Sequence, residues 1–294
     1  AKYVKTATVI KYETCGGYER NPIAVSQGHE VTYLPVPVRQ TGDIAYNFLG
    51  WYFDEQYTNE AKAPLTVTSD ITLFAKWSDS VDLSMFDILD LGNSSGYSVR
   101  VRTVAKNDIT GSVTVPMRYG GELIVRIETN GFEDCINITQ LTVPDSVTIV
   151  GNYAFQGCKS LEKIVLPDSL KQIGAYAFKN CEKLSDVNFP SQIISINADI
   201  FRTAPLMQEK LEQDENGMFY WGTAFLGKSC YVKGKKVEDN ETTSLTVRQG
   251  TTVAAVYSLY YMNALKEVTF ADSVRYLPNN VFEDSEKCVV ETIN

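Results

Sequence analysis

Phe132, Phe155, Phe178 and Phe201 follow one another at a step of 23 residues. Cys135, Cys158 and Cys181 keep the same step, and so do Pro144, Pro167 and Pro190. No other feature restricts the chain as much. A period in the twenties belongs to a stacked array in which each rung is one supersecondary unit and buries its apolar side against its neighbours. The clearest rungs are LTVPDSVTIVGNYAFQGCKSLEK (141–163) and IVLPDSLKQIGAYAFKNCEKLSD (164–186). A looser rung starts at Val187 and carries Ala204 in the cysteine slot.

Each rung opens with alternating apolar residues, Leu141 and Val143, then Ile164 and Leu166. This predicts a short strand with one face inward. Proline closes the strand because it has no N–H to give to a ladder. A second apolar pair follows (Val147 and Ile149; Leu170 and Ile173), then glycine, then A-F-x-x-C-x-x-L. Phe155, Cys158 and Leu161 stand at i, i+3 and i+6, a spacing that predicts one helical or 3-10 turn aiming all three at the core. Equivalent side chains in a stack run parallel into the core, and three cysteines in a row leave one unpaired. Cys135, Cys158 and Cys181 therefore read as small buried apolar residues. Cys15, Cys230 and Cys288 lie off this ladder, and no C-x-x-C pair occurs. The expected core is Phe132, Phe155, Phe178, Phe201 and Phe282 with the three ladder cysteines.

The pattern returns further on, in Leu245, Val247, Leu259, Met262 and Leu265, and again in Val268, Phe270, Val274, Leu277, Phe282 and Ser285. Phe201 to Leu259 is 58 residues, one period plus 35, which places an insertion at about 208–243. Within it, DENGMFYWG (214–222) contains an Asn-Gly pair that predicts a hairpin turn. An irregular early rung runs from Val113 through Pro116, Ile124 and Ile127 to Phe132 and Cys135. These residues resemble the BspA-type leucine-rich repeats of bacterial surface proteins, over roughly 97–294. The resemblance implies a leucine-rich-repeat solenoid and, for function, a protein of adhesin type.

Residues 1–78 lack the period and read as a small β domain, with strands expected at Thr8–Tyr12, Val31–Leu34, Phe48–Tyr52 and Thr72–Trp77. The string from Phe48, Gly50, Trp51 and Tyr52 to Thr72, Leu73, Ala75, Lys76 and Trp77 is similar to the Listeria–Bacteroides repeat, or internalin B-type repeat. That resemblance implies a β-grasp-like module used as a spacer. The expected chain is thus β-rich α/β: a module at 1–78, a linker and N-terminal capping hairpin at 79–108, and a solenoid at 109–294.

Chemistry is sparse. His29 is the single histidine, and nothing near it supplies a nucleophile. Asp82, Asp87 and Asp90, and Asp214 with Glu215, lack the spacing of a calcium loop. No nucleotide-binding or zinc-protease motif occurs, and Asn93, Asn137 and Asn240 head glycosylation sequons. The expectation is a non-enzymatic chain with no metal and no cofactor. The balance of 27 basic against 36 acidic residues argues against nucleic acid or an anionic lipid surface as partner. No window is long and apolar enough to span a bilayer, so no direct membrane insertion is expected. The opening AKYVKTATVI is too polar for the apolar stretch of a signal peptide. The family resemblance implies an extracellular or cell-surface location, with signal and anchor regions outside this sequence.

A protein or glycan partner has two candidate surfaces. The alternation leaves Gln140, Thr142, Lys163, Val165, Asp186, Asn188, Thr246, Glu267 and Thr269 outward along the concave face, with Ser112, Thr114 and Ser244 in the same slots. Aromatic side chains gather at Tyr220 and Trp221 and at Tyr257, Tyr260 and Tyr261, where the Ala-Phe turn has degenerated. Tyrosine and tryptophan are enriched at interfaces. The alternative is a structural stalk with no specific ligand.

Overall fold

The computed structural model describes residues 7–92, 95–214, 217–227, 231–232, 235–236, 239–259 and 262–281. Asn93, Glu215, Cys230, Tyr260, Tyr261, Phe282, Ser285 and Cys288, singled out above, lie outside the described residues. Two compact units emerge. One holds the described residues through Ser84 together with Arg118–Glu122; the other holds Met85–Met117 and what is described from Leu123 onward.

In the first unit the strands Ile23–Ser26, Ala7–Glu13, Ile71–Asp82, Ile44–Tyr52 and Arg39–Thr41 lie side by side in that order. Ala7–Glu13 runs parallel to Ile71–Asp82, with Tyr12 opposite Leu73, and the other neighbours are antiparallel. His29–Val31 pairs with Leu65–Val67 in a separate sheet. Alternation along the first strand sends Thr8, Ile10 and Tyr12 inward. Ile10 and Tyr12 meet Val67, Leu73, Ala75 and Trp51 in the core. The indole N–H of Trp51 donates to the Pro35 carbonyl at 2.6 Å and that of Trp77 to Thr14 at 2.9 Å, so neither ring leaves a donor stranded. The strand expected at Val31–Leu34 ends at Val31. Pro35 and Pro37 supply no ladder donor, and the chain crosses to Arg39 without regular pairing. Ile71–Asp82 continues as a strand through 79–82, a stretch that read as linker.

The second unit is two parallel ladders whose register is the sequence period. In one, Gly111–Thr114, Ile138–Thr142, Lys163–Val165 and Asp186–Val187 are neighbours, with Leu141 opposite Ile164 and Ile164 opposite Val187. In the other, Ile127, Val150, Ile173 and Ile196 stand abreast. Tyr97–Val101 adds to this second ladder beside Glu122–Ile127 and carries Phe86–Asp90 antiparallel on its far side.

The turn segments overturn the expected helical geometry. Tyr153, Phe155 and Gly157 donate their N–H groups to Ala175, Ala177 and Lys179 of the next rung, each at 2.8 Å. Gln156 and Cys158, between and after them, bond back to Tyr153 and Phe155 within the rung. A helix needs every N–H for its own axis; here alternate ones leave it. Left-handed backbone at Tyr153 (φ 56°), Gly157 (73°), Tyr176 (57°) and Asn180 (60°) breaks the segment into consecutive turns. Among the described residues Pro205–Gln208 is the one α-helix, and Leu83–Met85 and Thr103–Ala105 are the 3-10 turns. The chain is therefore strand-rich with almost no helix, and the α/β label is withdrawn. Glycine in the I-G slot has a separate cause. A Cβ on Gly174 would lie 2.5 Å from the Asn152 nitrogen, and one on Gly151 equally close to that of Thr129. Only a bare backbone lets the rungs approach that closely.

The Phe column runs through the middle. Phe132, Phe155 and Phe178 are wholly buried and Phe201 nearly so. Successive centroids are 5.6, 5.3 and 5.3 Å apart, and the last two pairs stack within 17° of parallel. Burial of each ring contributes about 1.5–3 kcal/mol. Beside the rings, the Cys158 thiol donates to the Phe132 carbonyl at 3.0 Å and the Cys181 thiol to Phe155 at 3.1 Å. Cys135, Cys158 and Cys181 are buried, and like exposed Cys15 they form no disulfide.

The insertion joins the stack. Glu212–Gln213 and Phe219–Trp221 form a hairpin, closed by a Gly217 N–H donating to Asp214, and Phe219–Trp221 pairs next with Ala224–Gly227. Ala224–Gly227 then lies parallel to Val253–Ala254, while the Val256 N–H reaches back to Ile196 at 2.8 Å. Ser244–Thr246 and Glu267–Thr269 resume the parallel pairing at the old step, Leu245 opposite Val268. Met218, Tyr220, Phe225, Leu245, Leu259 and Val268 share the core of this part.

Candidate functional site

The outward face of the first parallel ladder is made by strand alternation alone. Leu141 and Ile164 point inward and are buried, so Gln140, Thr142, Lys163 and Val165 point out and are exposed. Parallel register then sets equivalent positions in columns. Ser112, Gln140, Lys163 and Asp186 form one; Thr114, Thr142 and Val165 form the other. Lys163 Nζ and Asp186 Oδ2 are 2.8 Å apart across adjacent rungs, both exposed, which makes this an ion pair worth about 0–1 kcal/mol. Asn188 is exposed, yet its amide is used. Its Oδ1 accepts from the Leu166 N–H at 2.8 Å and its Nδ2 donates to the Leu166 carbonyl at 2.7 Å. The side chain thereby extends the ladder one step beyond where the main chain of that rung stops pairing. Thr246 and Glu267 are exposed and Thr269 is half-buried on the later two-stranded ladder.

The strip thus offers hydroxyls, an amide, one ion pair and a single apolar side chain, Val165. It pairs no nucleophile with a base. His29 is exposed in its short strand, away from any such partner among the residues described around it. The acidic residues serve local structure. Asp82 and Asp90 accept from the Ser84 and Gly92 N–H groups, Asp87 pairs with Arg100 and Arg102, and Asp214 accepts from the Met218 N–H and the Tyr220 hydroxyl. Among the described residues no group of three or more His, Cys, Asp or Glu could hold a metal ion. No helix among them is long and apolar enough to cross a membrane.

The aromatic candidates divide. Tyr220 is wholly buried, its hydroxyl 3.2 Å from Asp214 Oδ2 and its face 4.0 Å below the Arg248 guanidinium. Burial pushes that hydroxyl above the usual tyrosine value, and the Arg248 N–H partly opposes the shift. Trp221 is 7% exposed and stands edge-on to both Phe189 and Phe201, at 5.1 Å from each. Trp221 terminates the Phe column as Phe86, 6.0 Å from Phe132, does at its other end. Both rings pack inward, so neither offers an exposed aromatic surface; a long-range contact with the column decides this. Tyr257 is half-buried, in left-handed backbone (φ 62°), its N–H donating to Asn280. Tyr260 and Tyr261 lie outside the described residues.

A feature of the turn side escaped the sequence reading. Tyr153 and Tyr176, half-buried, stack at 5.2 Å and 20°, and Lys179 and Arg202 sit 5.5 and 5.6 Å from the Tyr176 ring centre. Burial raises the Tyr176 hydroxyl, helped by Asp199 and opposed by Arg202; burial likewise raises the Asp199 carboxyl. The signal was in the text of the rungs, GNYAF and GAYAF, one period apart.

Comparison with known proteins accords with this geometry. The family described as BspA type leucine rich repeat region matches residues 124–220 and 231–293 in six copies, and the Listeria-Bacteroides repeat domain matches 9–76. No curated protein matches the chain. Among solved structures, a T. pallidum leucine-rich repeat protein is 20% identical, with a TM-score of 0.42, over 70% of this chain and 78% of that one. A leucine-rich cell surface protein of Faecalibacterium prausnitzii is 21% identical, with a TM-score of 0.38, over 65% of this chain and 42% of that one. The pneumococcal vaccine antigen PcpA is 15% identical, with a TM-score of 0.27, over 71% and 67%.

Proposed function

Because this chain belongs to the BspA-type leucine-rich-repeat family, we propose that it is a non-enzymatic bacterial secreted or cell-surface protein that presents its repeat face to a protein or glycan. On this reading residues 109–294 form the solenoid with an insertion at about 208–243. Residues 79–108 link and cap it, and 1–78 are a β-grasp-like spacer. The observation that carries the reading is the exposed strip Gln140, Thr142, Lys163, Val165 and Asp186, held in columns by a hydrogen-bonded ladder. Side chains fixed on such a backbone lose little further freedom on binding, which favours recognition by many modest contacts. Screening the intact protein on host-protein and glycan arrays tests it, with Lys163→Glu and Val165→Asp together as control. A ligand that saturates and is lost in the double variant supports the reading. One that persists unchanged in the variant places recognition elsewhere.

A second reading, a stalk with no ligand of its own, draws on a specific observation. Tyr220 and Trp221 are inside, and the Asn188 amide and the Lys163 ammonium already bond neighbouring rungs. Arrays on which no ligand saturates favour this second reading.

A further inference from the structure

The first unit contains an open cavity of about 560 Å³, in the size range of small-molecule sites. Tyr12, Tyr18, Tyr33, Glu19, Arg20 and Asn21 are among the residues that line it. Three observations on these residues point to a ligand. Tyr18 and Tyr33 are 65% and 68% exposed, two large rings left in water on one small module. Tyr12 is 7% exposed and its buried hydroxyl has no hydrogen-bond partner, an arrangement that costs stability unless a bound group supplies one. Arg20 is anchored, its Nη2 donating to the Val36 carbonyl at 3.0 Å, so its other N–H groups are presented in a fixed fork.

The chemistry of the lining selects among ligands. Glu19 only accepts hydrogen bonds, Arg20 only donates, and Asn21 does both, and the two formal charges cancel. An anion meets Glu19 and a cation meets Arg20. A proline-rich peptide covers tyrosine rings, but its prolines have no N–H for Glu19. A sugar satisfies all of them: each ring hydroxyl donates and accepts, and the flat C–H face of a pyranose covers an aromatic ring. We propose that this cavity binds a neutral saccharide, with Tyr18 and Tyr33 against the ring faces and Glu19, Arg20 and Asn21 on the hydroxyls. The Tyr12 hydroxyl is reached when the exposed Tyr33 ring swings aside, a rotation open to any exposed side chain. The site does not rest on the outward strip, so either can fail while the other stands.

Titration of the intact protein with maltotriose, cellotriose and chitotriose, followed by saturation-transfer NMR and calorimetry, tests it. At least one trisaccharide is expected to bind with a Kd of about 1 mM or tighter. Tyr33→Ala and Asn21→Ala each weaken that binding about ten-fold; Tyr33 is exposed, so its variant folds. Tyr12→Phe weakens it several-fold without lowering the Tm, because the hydroxyl has no partner to lose in the free protein. The proposal is overturned by failure of all three trisaccharides to saturate, or by binding that survives Tyr33→Ala and Asn21→Ala. A fall in Tm for Tyr12→Phe, or an oligoproline peptide occupying the site in their place, overturns it as well.

Discussion

Removing the ring of Phe178 tests the stack where its parts are most closely coupled. The side chain is wholly buried and lies between Phe155 and Phe201, 5.3 Å from each and within 17° of parallel to both. Withdrawing a buried ring to alanine forfeits its transfer free energy and leaves a cavity, about 3–5 kcal/mol together. Whether the value sits high or low in that range depends on how far the walls relax. Here they are held. The Phe178 N–H bonds Ile200 at 2.9 Å and the Asn180 N–H bonds Arg202 at 3.1 Å, so the rungs on either side stay at their spacing. Two stacked contacts, each worth about 0.5–1.5 kcal/mol beyond area, are lost as well. Phe178→Ala should therefore cost about 4–5 kcal/mol, measured by urea unfolding of the intact chain with the slope fitted freely. The slope should also fall, because a rung that no longer couples to its neighbours lets the array open in parts. A loss below about 1 kcal/mol with an unchanged slope would refute the assigned column and its register.

Three further outcomes follow from the same geometry. Burial raises the thiol values of Cys135 and Cys181 to about 12 and that of Cys158 well above the ordinary one. The unfolded chain gives up these protons from about pH 8.5, while the folded chain keeps them. Stability is then full below that point and falls above it by about 1.4 kcal/mol per pH unit for each thiol. Urea midpoints between pH 8 and 10.5 should show a shallower fall in Cys158→Ala than in the wild type, and equal slopes would mean the thiol ionises freely in the fold. Gly174→Ala places a methyl 2.5 Å from the Asn152 nitrogen and should cost about 1–3 kcal/mol, against no change if the rungs can part. Trp221→Ala should lower stability by about 3–5 kcal/mol, since the ring closes the Phe column; a drop in ligand binding at unchanged stability would instead return Trp221 to the surface.

Much of this fold is written in the repeat because stacking gives equivalent residues equivalent surroundings. Phe, Cys and Pro recur at one step, and that step is the register by which Leu141 meets Ile164 and Ile164 meets Val187. The outward slots were legible for the same reason, since strand alternation has only two sides. What stayed hidden depends on contacts between residues distant in sequence. The A-F-x-x-C segment has helical spacing, and only its hydrogen bonds to the next rung make it a series of turns. Tyr153 and Tyr176 adopt left-handed backbone without the glycine or asparagine that would announce it. The aromatic run before Gly222 reads the same whether it faces water or the core; Phe189 and Phe201 settle its direction. Nor does a local pattern tell that three tyrosines from separate segments line one cavity.

The tryptophans carry an experimental consequence. The chain has three, and Trp51 and Trp77 belong to the core of the first unit while Trp221 terminates the Phe column of the second. Intrinsic emission is therefore already partitioned between the two units. Spectra of a Trp221→Phe protein report the first unit alone, and the difference from the wild type isolates the column. Unfolding of either unit, or quenching by a bound molecule, can then be assigned to its half of the chain without attaching a dye.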